Sequence, residues 1–160
     1  MRTFELHASQ TLAAPLGQVF EFFSDPRNLE RITPPWVAFR IVTPGEIEMR
    51  EGALIDYRLR IRGVAMGWRT EITEWDPPHR FVDTQLRGPY RKWVHTHRFT
   101  ARGDRTLVDD RVEYAVPGGA PIERLIERLF VRGDVERIFA YRRRVLDELF
   151  ADVSTASRVG

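Results

Sequence analysis

The sequence lacks cysteine, and lysine occurs only once, at Lys92. The absence of cysteine excludes disulfide bonds, thiolate metal sites and a cysteine nucleophile. The other basic residues are arginines, and because the 25 basic residues are interspersed with 23 acidic ones, the net charge is only +2. No stretch forms the basic stripe that is typical of nucleic-acid-binding proteins, so we expect no nucleic-acid partner.

Long apolar runs are also missing. No run approaches the roughly 18 residues that a membrane-spanning helix needs, and Met1 to Phe4 do not begin a signal-peptide core. We therefore expect a cytoplasmic protein without stable membrane insertion. The 160 residues suffice for one domain with a proper core, which we place at residues 1–152, followed by a disordered tail at residues 153–160. No nucleophile motif such as GxSxG occurs, and we predict no cofactor.

The strongest helical pattern extends from Pro121 to Phe150. Apolar residues recur there at spacings of three and four, which places them on one face of a helix. They are Val135, Ile138, Phe139, Val145, Leu146 and Leu149. Arg142 falls in the one missing turn of this stripe, where its aliphatic stem can fill the gap, whereas the rest of the arginine run 142–144 should be solvated. Gly133-Asp134 interrupts the pattern, so we predict a kink or a break there.

Most of the chain between Thr3 and Val116 alternates polar and apolar residues, as half-buried strands do. We predict seven strands, at residues 3–12, 37–42, 54–62, 64–75, 81–86, 92–101 and 106–116. Two short helices, one ending at Asp25-Pro26 and one over Asn28 to Ile32, separate the first two strands. This order predicts an α+β fold in which a curved antiparallel sheet wraps around the long C-terminal helix.

Recognisable short motifs follow one another along the chain. They are Ala14-Pro15 with Val19-Phe20, Asn28-Leu29, Thr33-Pro34-Pro35-Trp36, Phe81-Val82-Asp83, Gly88-Pro89, the Trp93, His95, His97 and Phe99 alternation, Asp110, Tyr114, Pro117, and Phe139 with Tyr141-Arg142. Over roughly residues 3 to 151 they resemble a bacterial branch of the START-like (SRPBCC) helix-grip superfamily, also described as polyketide cyclase/dehydrase-like or Bet v 1-like. The resemblance implies a cavity between sheet and helix. It does not imply one function, because such folds serve lipid carriers, hormone receptors, quinone-binding proteins, cyclases and hydrolases.

Several polar residues fall on strand faces that are otherwise apolar. His95 and His97 share their face with Trp93 and Phe99, because side chains alternate along a strand. If the chain reverses at Gly103-Asp104, the register places His97 directly opposite Asp110. Whether Asp83 and Gln85 point inward, or the alternate face of their strand does, is left open by the pattern. The candidate ligand-binding residues are Tyr57, Trp68, Thr70, Asp83, Gln85, Trp93, His95, His97, Asp110, Tyr114 and Phe139.

This polar set has four interpretations. It can be a self-satisfied hydrogen-bond network in the core, since buried polar groups need partners. It can line a ligand cavity. His95 and His97 can also bind a metal together with Asp110 or Asp83, although two ligands without a clear third are a weak signal, and we assign no metal site. Finally, a His–Asp pair can act in acid–base catalysis, although we assign no catalytic residue.

The first functional hypothesis is binding or transport of a small, largely hydrophobic molecule such as a lipid, a quinone, a polyketide-like aromatic or an isoprenoid. An alternative is a cyclase, dehydratase or hydrolase that uses His95, His97, Asp110 and Asp83. A third hypothesis is an accessory module with a filled interior and an exposed apolar patch. Besides the small molecule, a second copy of the chain or a partner enzyme are the candidate partners.

Overall fold

The computed structural model describes the backbone of residues 1–156 and the side chains of residues 1–151. The strands are β1 (Phe4–Leu12), β2 (Arg40–Ile41), β3 (Leu54–Ile61), β4 (Val64–Asp76), β5 (Arg80–Arg87), β6 (Lys92–Arg102) and β7 (Arg105–Ala115). The helices are α1 (Leu16–Ser24), α2 (Asn28–Arg31), α3 (Ile122–Ile126) and α4 (Arg132–Ala156), with a 3₁₀ turn at Pro35–Val37 and a π-helical turn at Glu127–Val131. The predicted α+β element order is confirmed.

The seven strands form one antiparallel sheet in the order β1-β7-β6-β5-β4-β3-β2. Every neighbouring pair except β1 and β7 is consecutive in sequence, with short turns between the strands from β3 to β7 and a longer connection, residues 42–53, between β2 and β3. The turn between β6 and β7 contains Gly103 in the left-handed region, at φ 64°. This turn sets the register that pairs His97 with Asp110 and Trp93 with Tyr114, as predicted.

The long helix α4 provides the apolar face that the sheet covers. Val135 and Leu146 of this face are buried, and the side chain of Arg142 is buried between them. Leu146 packs in the largest core cluster together with Phe20 of α1 and Phe99 of β6. The sheet, α1 and α4 therefore share one core, and α1 closes one end of the space between sheet and helix.

The irregularity in the terminal helix lies earlier than predicted. The helix is continuous through Gly133, and the break is the π-helical turn at Glu127–Val131. Within this turn the buried carboxylate of Glu127 accepts hydrogen bonds from Tyr114 and Arg132, which compensate its burial. A single helical glycine costs only about 1 kcal/mol relative to alanine, so Gly133 need not bend the helix.

The second strand is much shorter than the predicted 37–42, because only Arg40 and Ile41 pair with β3. Pro35–Val37 forms the 3₁₀ turn instead, and Ala38 takes a left-handed conformation that no strand tolerates. At the other end of the chain, α4 extends to Ala156, and residues 157–160 of the predicted tail lie outside the described residues. Within the described part of the chain, no helix has both the length and the apolar character needed to cross a bilayer.

Candidate functional site

A cavity of about 640 Å³ lies between the sheet and α4. Its apolar walls come from the sheet and from helices on both sides of it in sequence: Ile55 of β3, Phe23 of α1 and Ile138 of α4 are representative. Eight of the eleven predicted site residues line it. They are Tyr57, Trp68, Thr70, Asp83, Trp93, His95, His97 and Phe139. The interior is therefore not filled, and the predicted inward face of β6 is the face that meets the cavity.

The remaining three predicted residues, Gln85, Asp110 and Tyr114, lie outside the cavity lining. Gln85 makes two hydrogen bonds with the backbone of Tyr90 and so supports the turn between β5 and β6. Tyr114 donates its hydroxyl hydrogen to Glu127, 2.9 Å away. Asp110 lies behind the two histidines. All three residues have structural partners of their own.

One wall of the cavity is polar. His97 Nε2 lies 2.6 Å from Asp83 Oδ2, and His95 Nδ1 lies 3.7 Å from the same oxygen. Asp83 is partly exposed, whereas both histidines are buried. The two imidazoles stack with ring centroids 3.7 Å apart, and the ring of Phe81 stacks on His97 at 4.1 Å. The open question about β5 is thereby answered, because Asp83 points towards the histidines.

Asp110 contacts both histidines from the opposite side. Its Oδ1 accepts a hydrogen bond from His95 Nε2 at 2.8 Å and lies 3.2 Å from His97 Nδ1. The second contact is an ion-pair distance, but His97 Nδ1 has no well-aligned hydrogen-bond partner among the described residues. The predicted register is confirmed, whereas the shortest hydrogen bonds run diagonally: His97 bonds to Asp83 and His95 bonds to Asp110.

Sequence reasoning missed the buried guanidinium of Arg142. Its Nη2 lies 3.2 Å from Asp110 Oδ1, and its Cζ lies over the rings of Phe23 and Phe139. The prediction placed only the stem of Arg142 inside, but the side chain is 7% exposed over its whole length. The position of Arg142 on the apolar stripe of α4 was the sequence feature that could have indicated this burial.

The charges of this cluster follow from burial and proximity. Burial raises the pKa of Asp110, but the guanidinium of Arg142 and the two imidazoles outweigh burial and hold that pKa well below its usual range. Burial lowers the pKa of His95, and the charge of His97 lowers it further. For His97, burial lowers the pKa, but the carboxylates of Asp110 and Asp83 overcome this effect and raise it. Arg142 thus offsets the charge of Asp110, and the two aspartates favour the protonated form of His97.

Exposed residues of the tight turn between β3 and β4 form part of the cavity wall. Arg62 and Gly63 of this turn both have positive φ, as a type I′ hairpin turn requires. The guanidinium of Arg62 makes two hydrogen bonds to the carboxylate of Asp134 and one to the carbonyl of Phe130. Arg62 and Asp134 both line the cavity, and the side chain of Arg62 is 51% exposed. We call this contact the Arg62–Asp134 clasp.

An antiparallel sheet that wraps around a C-terminal helix and encloses a ligand-sized cavity defines a helix-grip protein. The chain belongs to the family described as polyketide cyclase/dehydrase and lipid transport, whose profile matches residues 3–153. The family match and the helix-grip architecture together show that this is a ligand-binding fold. No curated protein matches the sequence.

Several solved structures share the fold at low sequence identity. Protein TTHA0849 from Thermus thermophilus is 21% identical, with a TM-score of 0.71 over 94% of this chain and 99% of that chain. The ZhuI aromatase/cyclase from Streptomyces sp. R1128 is 16% identical, with a TM-score of 0.70 over 94% of each chain. Protein Ms6760 from Mycobacterium smegmatis is 20% identical, with a TM-score of 0.67 over 93% of this chain and 92% of that chain. Since all three are below 25% identity, these likenesses show the fold alone.

Proposed function

We propose that this protein binds a small, mostly apolar molecule that carries one or two oxygen-containing groups. The observation that carries the proposal is the cavity of about 640 Å³, which falls within the range of about 300–1,000 Å³ typical of small-molecule sites. Its walls are mainly aliphatic and aromatic, and His95 and His97 are among the buried polar residues that line it, next to Asp83. Such a division suits a ligand with an apolar body and a polar end.

The aromatic walls favour a planar ligand over a saturated chain. The indoles of Trp68 and Trp93 meet edge to face at 5.4 Å, and Tyr57 packs against Phe39 at 4.7 Å. Flat rings pack well against such surfaces. Among the candidate classes, a quinone or a polyketide-like aromatic therefore fits better than a lipid acyl chain or an isoprenoid.

The polar end can hold a carbonyl or a hydroxyl oxygen of the ligand. Thr70 Oγ accepts a hydrogen bond from Trp68 Nε1 at 3.0 Å and also hydrogen-bonds with the hydroxyl of Tyr57, so the two hydroxyls together have one hydrogen left to donate at the cavity wall. Asp83 Oδ2 already binds His97, but its carboxylate is partly exposed and can accept a further hydrogen bond. Orientation of the ligand would then come from these few polar contacts.

The test is displacement of a fluorescent apolar probe. We expect 1-anilinonaphthalene-8-sulfonate to bind the folded protein saturably and to quench the emission of Trp68 and Trp93, because both indoles line the cavity. Ile138→Trp places a large ring in the cavity and should weaken probe binding at least tenfold. Quinones and polyketide-like aromatics should compete with the probe more strongly than fatty acids do.

The matched control for Ile138→Trp is Glu136→Trp. Glu136 is on the same helix but is exposed and does not line the cavity. This control should bind the probe as the unmodified protein does. The proposal fails if the probe does not bind saturably, or if both variants bind it equally well. Separately, native mass spectrometry of protein purified from its own host would identify a retained ligand.

A second candidate function is enzymatic and rests on the contact between His97 and Asp83. A histidine held by a carboxylate at a cavity wall can accept or donate a proton of a bound substrate. Cyclisation and dehydration of a polyketide-like substrate both need such a group. Asp83→Asn separates the two functions: a binding protein retains its ligand, with affinity changed only a few fold, whereas an enzyme loses turnover at least a hundredfold while still binding substrate.

A further inference from the structure

Three potential metal ligands converge on the polar wall of the cavity. One ligand atom from each of Asp83, His95 and His97 lies within 4.8 Å of the other two. Two of these separations are 2.6 Å, from His97 Nε2 to Asp83 Oδ2, and 3.7 Å, from His95 Nδ1 to the same oxygen. Zinc with bonds of about 2.0–2.2 Å to nitrogen and oxygen holds its ligand atoms roughly 3–3.5 Å apart. The two observed separations lie on either side of that spacing.

The far side of both imidazoles is occupied by a carboxylate. Asp110 Oδ1 lies 2.8 Å from His95 Nε2 and 3.2 Å from His97 Nδ1. Histidines that bind metals generally direct their other ring nitrogen to such an outer carboxylate, which fixes the tautomer and orients the ring. Here it places a proton on His95 Nε2, so the lone pair of His95 Nδ1 is free on the side of Asp83. In the absence of metal, His97 Nε2 donates its hydrogen to Asp83 Oδ2, and metal binding would release that proton and free the lone pair.

The outer carboxylate is itself held in place. Arg142 Nη2 lies 3.2 Å from Asp110 Oδ1, and both side chains are at most 8% exposed. A metal bound to both imidazoles requires them to be neutral, and Asp83 and Asp110 then outnumber Arg142 by one negative charge. A divalent cation turns this excess into one positive charge, which an anionic oxygen facing the cavity, such as hydroxide, can balance. The cluster thus provides inner ligands, an outer partner and charge compatible with a metal.

We propose that Asp83, His95 and His97 form a binding site for one divalent transition metal ion, best matched by Zn²⁺, that is open to the cavity. Two imidazoles and one carboxylate are a ligand set found in zinc sites with an open coordination position. Mg²⁺ and Ca²⁺ are excluded because they prefer sets made of oxygen atoms. The open position faces the cavity, since all three residues line it. The metal-site proposal rests on these contacts and does not depend on the class of ligand proposed above.

The experiment is a titration of the full chain, freed of metals with a chelator, with ZnCl₂ alone. Isothermal titration calorimetry should give one Zn²⁺ per chain, and Co²⁺ in place of Zn²⁺ should give the visible absorption bands of a nitrogen- and oxygen-ligated site. Asp110→Asn should weaken Zn²⁺ binding by about 10- to 100-fold, because it changes only the outer carboxylate. Asp83→Asn removes an inner ligand and should weaken binding more than Asp110→Asn does.

The matched control is His7→Gln. His7 lies 3.7 Å from Asp109 in an exposed His–Asp pair on the outer surface, so it reports adventitious surface binding. This variant should bind Zn²⁺ as the unmodified chain does. Circular dichroism checks that each variant is folded, and titration of the unmodified chain tests the site even if Asp83→Asn does not fold. The proposal is overturned if the unmodified chain shows no saturable Zn²⁺ binding, if folded Asp83→Asn binds equally well, or if His7→Gln abolishes binding.

Discussion

The buried guanidinium of Arg142 neutralises the carboxylate of Asp110 inside the fold. Arg142→Met keeps the apolar stem but leaves Asp110 as a buried carboxylate without its main cation. Removing one partner of a buried pair costs about 3–5 kcal/mol, so we expect the free energy of unfolding to fall by that amount. Urea denaturation followed by circular dichroism measures this change.

The double variant Arg142→Met/Asp110→Asn identifies the cause of that loss. Because it removes both charges, it should be more stable than Arg142→Met alone, which a merely lost packing contact does not predict. Arg144→Met is the control, since Arg144 is exposed on the same helix and should change stability by less than about 0.5 kcal/mol. A stability loss below about 1 kcal/mol for Arg142→Met would contradict the electrostatic role.

At the scale of single residues, the sequence correctly predicted which residues of β6 and β7 lie opposite each other, because one turn determines this register. The position of Gly103 fixes the register of β6 and β7, and alternation then places His97 opposite Asp110. Which nitrogen bonds to which carboxylate depends on side-chain rotation and on Asp83 from β5, which periodicity does not report. The burial of the Arg142 guanidinium was not predictable, because charged residues are rarely buried unless paired and its partner is 32 residues away in sequence.

Helix α4 is the element on which the core depends. Leu146 is 1% exposed and packs with Phe20 and Phe99 from two other elements. Leu146→Ala should lower the free energy of unfolding by about 2–5 kcal/mol, because it removes a buried side chain and leaves a cavity. Leu86→Ala is the matched control, since Leu86 is 53% exposed. Equal effects of the two substitutions on the urea midpoint would show that α4 is not part of the core.

Removal of α4 tests the same dependence more severely. A chain that ends at Gly133 lacks the buried side chains of Leu146 and Phe150, and the core cluster of α1, β6 and β7 is then exposed. We expect this fragment to show no cooperative thermal transition by circular dichroism. A folded fragment of residues 1–133 with a sharp transition would refute the proposed architecture.

Elements with a long, regular pattern were predictable, whereas short ones were not. The strands β3 to β7 and α4 have clear periodicities of two and 3.6 residues, and their existence and order were correct. β2 failed because its apolar residues belong partly to the 3₁₀ turn at Pro35–Val37. The π-helical turn at Glu127–Val131 depends on the contact between Glu127 and Tyr114, which no local pattern indicates.

At the scale of the whole molecule, the fold was predictable and the resemblance implied a cavity of a few hundred Å³, but periodicity alone does not determine the cavity volume. Faces of strands and helices can be inferred from alternation, so eight of the eleven candidate residues line the cavity. The empty volume is the difference between the space that the backbone encloses and the side chains that fill it. That difference depends on residues from many elements at once, including Phe22 and Val135, which were not among the candidates.

The Arg62–Asp134 clasp has a kinetic consequence. It joins the tip of the β3–β4 hairpin to α4, and both residues line the cavity, so we expect a molecule that passes between these two elements to require their separation. An exposed ion pair contributes about 0.2–1 kcal/mol, which corresponds to at most about a fivefold change in rate. In stopped-flow experiments with 1-anilinonaphthalene-8-sulfonate, Arg62→Ala should accelerate both association and dissociation by about two- to fivefold.

Because both rates change together, the dissociation constant of the probe should stay nearly constant in Arg62→Ala. Arg69→Ala is the control, since Arg69 makes the same two-bond contact with Asp56 but does not line the cavity. A change in dissociation rate alone would instead mean that Arg62 holds the bound probe directly. The clasp would thus set the residence time of a ligand independently of its affinity, and added salt, which screens exposed charges, would shorten that time.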